Sequence, residues 1–231
     1  MTTFRGGKEY VLVLLQGNDA SSLKMSLIEA DDESTNVAEL QEGVFTQVVQ
    51  AGSDRTAAMI AVNGIVQNTS LTFGNALATV VRHGSQSMSF GGVSSTYTAD
   101  SSKRLTVVLA GTATAIRAVA LNSPSMNPSV DTARSRYLNV TGDVPKVRVS
   151  IDSVANLGYN VYADNLEFGV ASDVRTEIKP RRINFVCGDA ITLKEVYRPM
   201  FSVTLLAGKA YTVILTGTAV QGYSIILQQE Y

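Results

Sequence analysis

One strand pair occurs three times along this chain, and a repeat of that kind constrains the fold more than any single motif. GKEYVLVL (7–14), SKRLTVVL (102–109) and GKAYTVIL (208–215) each place a lysine, Lys8, Lys103 or Lys209, ahead of alternating β-formers. A glycine follows (Gly17, Gly111 or Gly217), and then a second apolar run that closes at Leu27, Leu121 or Leu227. The repetition predicts a modular β-protein: two complete modules preceded by the last two strands of a third.

Upstream anchors extend the repeat. Phe73-Gly74 matches Phe168-Gly169, and Phe90 matches Phe185 at the same shift. The segment 44–64 lies over 146–165, with Gly64 over Asn165. Extra residues at 65–70 in one copy and 187–200 in the other are read as turns, where length changes are tolerated. The expected organisation is a partial repeat over 1–29, a β-sandwich repeat over 44–121 and a second over 146–227. Phe73, Phe168, Phe90, Phe185, Val107 and Val213 are expected to point into the two cores.

Strand periodicity dominates. Val147, Val149 and Ile151 alternate with Arg148, Ser150 and Asp152. Asn63-Gly64 and Asp164-Asn165 read as hairpin turns, because Asn and Gly accept a left-handed backbone. The single helical candidate is STNVAELQE (34–42), with a Ser or Thr as cap. Two stretches read as linkers: the acidic 30–42, and 122–145, which carries Pro124, Pro128 and Pro145 among Ser and Asn. Many short strands separated by turn signals indicate sandwiches or barrels, and the expected fold is all-β, as tandem immunoglobulin-like β-sandwiches.

Composition narrows the function. The 231 residues carry a formal net charge of −1, which is no electrostatic footprint for nucleic acid. No apolar run is long enough for a membrane helix, and 1–6 is not the start of a signal peptide. One cysteine, Cys187, excludes an intramolecular disulfide.

The candidate chemical groups do not converge. His83 is the single histidine and stands in a turn-like context, so triads and histidine-based zinc sites lack their partners. Cys187 reads as a small buried apolar residue. Asp31-Asp32-Glu33 lacks the spacing that wraps calcium. Asp152, Asp164 and Asp173 have no carboxylate counterparts in the other repeat. Lys179-Pro180-Arg181-Arg182 is a short basic cluster without an aromatic platform. Gly6-Gly7 and Gly91-Gly92 open no helix and are not phosphate loops. Lys8, Lys103 and Lys209 suit the blunting of a sheet edge.

VRVSIDSVANLGYNVYADN (147–165) resembles the opening of the family catalogued as domain of unknown function 4397, whose members begin close to VRVVHASPDAPAVDVYVDG. AGKAYTVILTGT (207–218) is similar to that family's closing strand, AGKxYTVVLTGT. In this chain Gly52-Ser53-Asp54 and Ser153-Val154-Ala155 stand where the family has Ser-Pro-Asp. The resemblance implies tandem β-sandwich modules, found mostly in exported bacterial and archaeal proteins, and brings no established enzymatic activity.

The expected role is therefore structural or adhesive, at the cell surface or outside the cell. The expected partners are other copies of the chain or other surface proteins, with no nucleic acid, no membrane span, no cofactor and no metal. A filament or matrix subunit using donor-strand pairing fits the partial repeat, whose strands need a cover in the same chain or in a neighbour. The alternative is a carbohydrate- or cell-wall-binding module presenting Tyr97, Tyr137, Tyr159 and Tyr197.

Overall fold

A computed structural model describes residues 10–16, 23–29, 38–40, 43–54, 56–100, 104–112, 114–123, 129–151, 161–178, 182–189 and 201–230. Their regular structure is entirely β, in five sheets. The N-terminal sheet joins β1 (Tyr10–Gln16), β2 (Leu23–Glu29) and β3 (Ala38–Leu40) in that order. Next come β4 (Gly43–Gln50), β5 (Ala58–Val62), β6 (Ile65–Leu71), β7 (Ala76–Arg82), β8 (Gly84–Phe90), β9 (Val93–Ala99), β10 (Arg104–Thr112) and β11 (Ala115–Ser123). The last group is β12 (Thr132–Thr141), β13 (Lys146–Ile151), β14 (Val161–Glu167), β15 (Arg175–Ile178), β16 (Arg182–Asp189), β17 (Phe201–Thr204), β18 (Ala210–Thr218) and β19 (Gly222–Glu230).

Each later group makes an inner and an outer sheet. The first inner sheet runs β11-β10-β4-β7 and its outer sheet β6-β5-β8-β9; the second inner sheet runs β19-β18-β12-β15 and its outer sheet β14-β13-β16-β17. Position by position, the two orders are the same. In both, the opening strand of the group pairs parallel with the seventh: β4 with β10 (Thr46 opposite Leu105) and β12 with β18 (Ser135 opposite Tyr211).

Three cores hold these sheets. One fills the first pair with Val48, Ile60, Met88, Phe90, Val107 and Leu109 among others. Another fills the second pair with Tyr137, Val147, Val149, Tyr162, Tyr211 and Val213. The third lies between the two inner sheets, where Val49, Ala51, Val108 and Ala110 meet Leu138, Val140 and Ile214. The four sheets therefore stack in layers, and β4, β10, β12 and β18 are buried on both faces along most of their length. Parallel strands covered on both faces read as near-continuous apolar runs, which explains VVLA in β10 and VILT in β18.

The hairpins β10–β11 and β18–β19 turn after the repeated glycine. Gly111 (φ 96°) and Gly217 (φ 102°) each lack room for a Cβ, which would lie 2.1 Å from the Ala115 carbonyl oxygen and 2.3 Å from that of Gly222. Only glycine fits such a close approach at positive φ. The carbonyls of these two glycines then accept from Ser53 N (2.6 Å) and Gly142 N (2.9 Å), which mark where β4 and β12 leave their sheets.

Several expectations need correction. The stretch 122–145 is not a linker, because its last part is β12, the opening strand of the second inner sheet. The second set of paired strands therefore starts at Thr132, ahead of the expected boundary at 146, and ends at Glu230. Proline on either side and Arg134, Ser135, Arg136 and Asn139 within hid β12, whose polar groups are satisfied inside the fold. The overlay of 44–64 on 146–165 fails for the same reason: β4 takes the place of β12, whereas β13 takes that of β5. Residues 65–70 are not a turn insertion but belong to β6.

Asn63-Gly64 is the predicted two-residue turn, with φ of 49° and 79°. Asp164-Asn165 is not a turn. Asn165 (φ 51°) sits inside β14, where the pairing with β13 shifts register as in a bulge. Residues 38–40 of the helical candidate form β3, paired with β2, since so short a segment cannot repay helix nucleation in isolation. The rest of that candidate lies outside the described residues. The N-terminal repeat fragment thus carries a third strand beyond residue 29.

Phe73 and Phe168 occupy the same corner, where the chain crosses from outer to inner sheet. Gly74 N donates to the Gln50 carbonyl (2.9 Å) and Gly169 N to that of Asn139 (2.8 Å). Neither phenylalanine enters a sandwich core; both are half-buried against the core between the inner sheets. The chain puts them there because the crossing backbone, not a strand pleat, sets their direction. Phe90 pairs with Ile60, whereas Val149, in the place of Ile60, pairs with Cys187. Strand pairing therefore sets Phe90 against Cys187, not against Phe185. Val107 and Val213 are fully buried in their own cores.

Candidate functional site

The densest polar chemistry among the described side chains lies in the seam between the inner sheets. Arg136 of β12 and Glu230 of β19 form an ion pair, Nη2 to Oε1 at 2.9 Å, with side chains only 5% and 3% exposed. Arg136 Nε donates to Thr212 Oγ1 (2.8 Å), and Nη1 donates across the seam to the Asn122 carbonyl (2.7 Å). Glu230 accepts from Thr212 Oγ1 and, across the seam, from Thr106 Oγ1 (2.8 Å). Burial alone would raise the Glu230 carboxyl. The Arg136 charge and the hydrogen bonds from Thr212, Thr106 and Arg136 outweigh it and hold the group below the usual carboxylate range. Elsewhere in the seam Thr216 Oγ1 donates to the Ala51 carbonyl at 2.6 Å.

A second polar device occurs once in each half. Gln50 ends β4, and its amide oxygen accepts from Gly52 N while Nε2 donates to the Thr56 carbonyl (2.6 Å). Asn139 holds the same place in β12. Its oxygen accepts from Thr141 N (2.9 Å), and Nδ2 donates to the carbonyls of Leu166 (2.9 Å) and Val144 (3.2 Å). Both amides are fully buried. Each satisfies backbone groups freed where the chain leaves one sheet for the other, groups that would otherwise be costly to bury.

These arrangements fix structure and expose no reactive atom. His83 is exposed at the corner between β7 and β8. Cys187 lies on β16, and its side chain is outside what the structure describes. Asp164 is exposed and holds Arg148 through Nε–Oδ1 (2.8 Å) and Nη2–Oδ2 (2.6 Å). The Arg148 hydrogen bond is the main reason its carboxyl lies below the ordinary range. Asp173 is exposed, as is Lys209, whose carbonyl caps β12 through Arg134 N (2.9 Å). Gly91-Gly92 is the two-residue turn between β8 and β9. Asp31-Asp32-Glu33, Asp152, Lys179-Pro180-Arg181, Gly6-Gly7, Lys8 and Lys103 lie outside the described residues, and Arg182 opens β16. Among the described residues no three His, Cys, Asp or Glu side chains gather where they could hold a metal ion.

The tyrosines named as a carbohydrate platform need correction. Tyr97 and Tyr137 are 6% and 0% exposed and belong to the two sandwich cores. They alternate inward with their strands, and burial pushes the Tyr97 phenol up to about 12. Tyr159 and Tyr197 lie outside the described residues. Among the described residues no helix is long and apolar enough to cross a membrane.

Sequence reasoning missed Arg136, Glu230, Thr106 and Thr212. Arg136 falls in the stretch that reads as a linker, Thr106 precedes it on another strand, and Thr212 and Glu230 follow it 76 and 94 residues later. Gln50 and Asn139 carried a signal: an amide side chain a few residues ahead of Ser53 and Gly142, which close onto the repeated glycines. No protein-family model matches the sequence, and no curated protein matches it either.

Proposed function

We propose that the chain is a non-enzymatic structural or adhesive protein of the cell surface or extracellular space, built from tandem immunoglobulin-like β-sandwich repeats. On this reading it belongs with the exported modules of the domain of unknown function 4397 kind, and it serves as a filament or matrix subunit through strand donation. The observation that carries it is the identity of strand order in the two halves, together with a seam that welds them. The burial goes into rigidity, as a load-bearing module requires, and the polar groups in the seam are sealed from any substrate. The N-terminal sheet supplies an additional strand pair of the same sequence type.

The test is electron microscopy of the purified full chain beside a variant lacking residues 1–42. Polymers from the full chain that vanish in the variant, with the β-sheet circular dichroism signal retained, support the reading. A full chain that stays monomeric at every concentration and adheres to no cell-surface material overturns it. Turnover of a hydrolase substrate that is lost in His83→Ala overturns its non-enzymatic half.

A further inference from the structure

We infer that the edge of β1 left unpaired among the described residues is an acceptor for an extended strand of another polypeptide, bound parallel, with the sequence chemistry of β4 and β12; this rests on the filament reading above. Among the described residues β1 pairs along one edge alone, with β2 (Tyr10 opposite Glu29, Gln16 opposite Leu23). Its two counterparts pair along both. β10 takes β11 on one edge and β4, parallel, on the other; β18 takes β19 and β12 in the same way.

The sequence of β1 is that of a central strand. Tyr10, Leu12 and Leu14 alternate with Val11, Val13 and Leu15, so both sets of positions are apolar. β10 and β18 share that pattern and are buried on both faces. Edge strands are ordinarily protected by charge or proline, and 10–16 has neither.

The internal repeat also sets the occupant's chemistry. Leu105 lies opposite Thr46 and Leu109 opposite Gln50; Tyr211 lies opposite Ser135 and Leu215 opposite Asn139. Tyr10 and Leu14 hold the corresponding positions on β1. The occupant therefore places a small hydroxyl residue opposite Tyr10 and an amide residue opposite Leu14, with a mostly apolar stretch between. Main-chain hydrogen bonds along the edge would supply the affinity, as in other cases of strand addition.

The probes are two synthetic peptides, GVFTQVVQA (43–51) and TARSRYLNVT (132–141), added to the intact chain. The inference expects saturable binding and a loss of at least tenfold when proline replaces Val49 or Leu138 in the peptide, residues whose N–H groups face β10 and β18 within the chain, since proline cannot complete the ladder. A spin label at the peptide N-terminus is expected to broaden the amide signals near Tyr10 and leave those near Gln16 sharp. Absence of binding, indifference to proline, broadening near Gln16 instead, or broadening confined to β10 and β18 each overturns it. A twofold dimer with two β1 strands side by side also overturns it. Polymers that form while neither peptide binds or caps them refute this inference and leave the filament reading intact. Peptides that bind in the expected register to a chain that never polymerises refute the filament reading alone.

Discussion

The two halves of the seam are built from corresponding positions and filled with different chemistry. Gln47 on β4 and Arg136 on β12 hold the same register, opposite Thr106 and Thr212. Arg136 is satisfied by Thr212, Glu230 and Asn122, whereas the Gln47 side-chain oxygen is buried with no hydrogen-bond partner among the described residues. Inside the sandwiches the contrast is one of shape. Val48 in the first core corresponds to Tyr137 in the second. The strand frame is duplicated, while side-chain volume and charge have diverged wherever the surroundings could compensate. The divergence makes the seam directional: one half provides the ion pair, and the other provides the hydroxyl of Thr106 and the carbonyl of Asn122 that complete it.

The sharpest way to break this comparison is in the cores. Tyr137→Ala is expected to cost about 3–5 kcal/mol, and Val48→Ala, with fewer atoms removed, distinctly less. Urea denaturation followed by circular dichroism measures both, and equal losses would mean that the two positions do not play corresponding roles.

The seam comes next. Arg136→Met leaves Glu230 buried without its cation and is expected to cost about 3–5 kcal/mol, whereas the double change Arg136→Met with Glu230→Met should be close to neutral. The same pair has a pH signature. The Glu230 carboxyl is depressed in the folded chain, so its contribution is fully present above the ordinary glutamate value of about 4.3 and is lost as pH falls through the folded one. Glu230→Gln should therefore flatten the acid side of the stability profile. A wild-type and a variant profile of the same slope below about pH 4.3 would remove the pair from the account.

The buried amides are expected to matter less. Gln50→Leu and Asn139→Leu should each cost about 1–3 kcal/mol, by orphaning backbone groups at the sheet crossings. Asn139, with two carbonyls to satisfy, should be the more costly. The smallest effect has the opposite sign. Gln47→Met removes a buried, unpartnered oxygen and should raise stability by about 1 kcal/mol; a loss in thermal denaturation would show that Gln47 makes a contact its geometry does not suggest.

The sequence by itself determined the β class, the repeated hairpins β10–β11 and β18–β19 with their glycines, and the turn at Asn63-Gly64. Each is local: alternation, a glycine where a Cβ would meet a carbonyl, an Asn that tolerates positive φ. It also supplied the Phe73 and Phe168 anchors, though not their place. Only the tertiary structure decided that the inner sheets face each other. That contact buries both faces of β4, β10, β12 and β18 and turns the apparent loop around Arg136 and Asn139 into a strand. A strand whose polar residues are satisfied by partners distant in sequence has no alternation to read. Arg136, ninety-four residues before Glu230, can stay charged inside the molecule only because the stacked sheets bring that carboxylate, Thr212 and a backbone carbonyl to it, with Thr106 donating to the carboxylate.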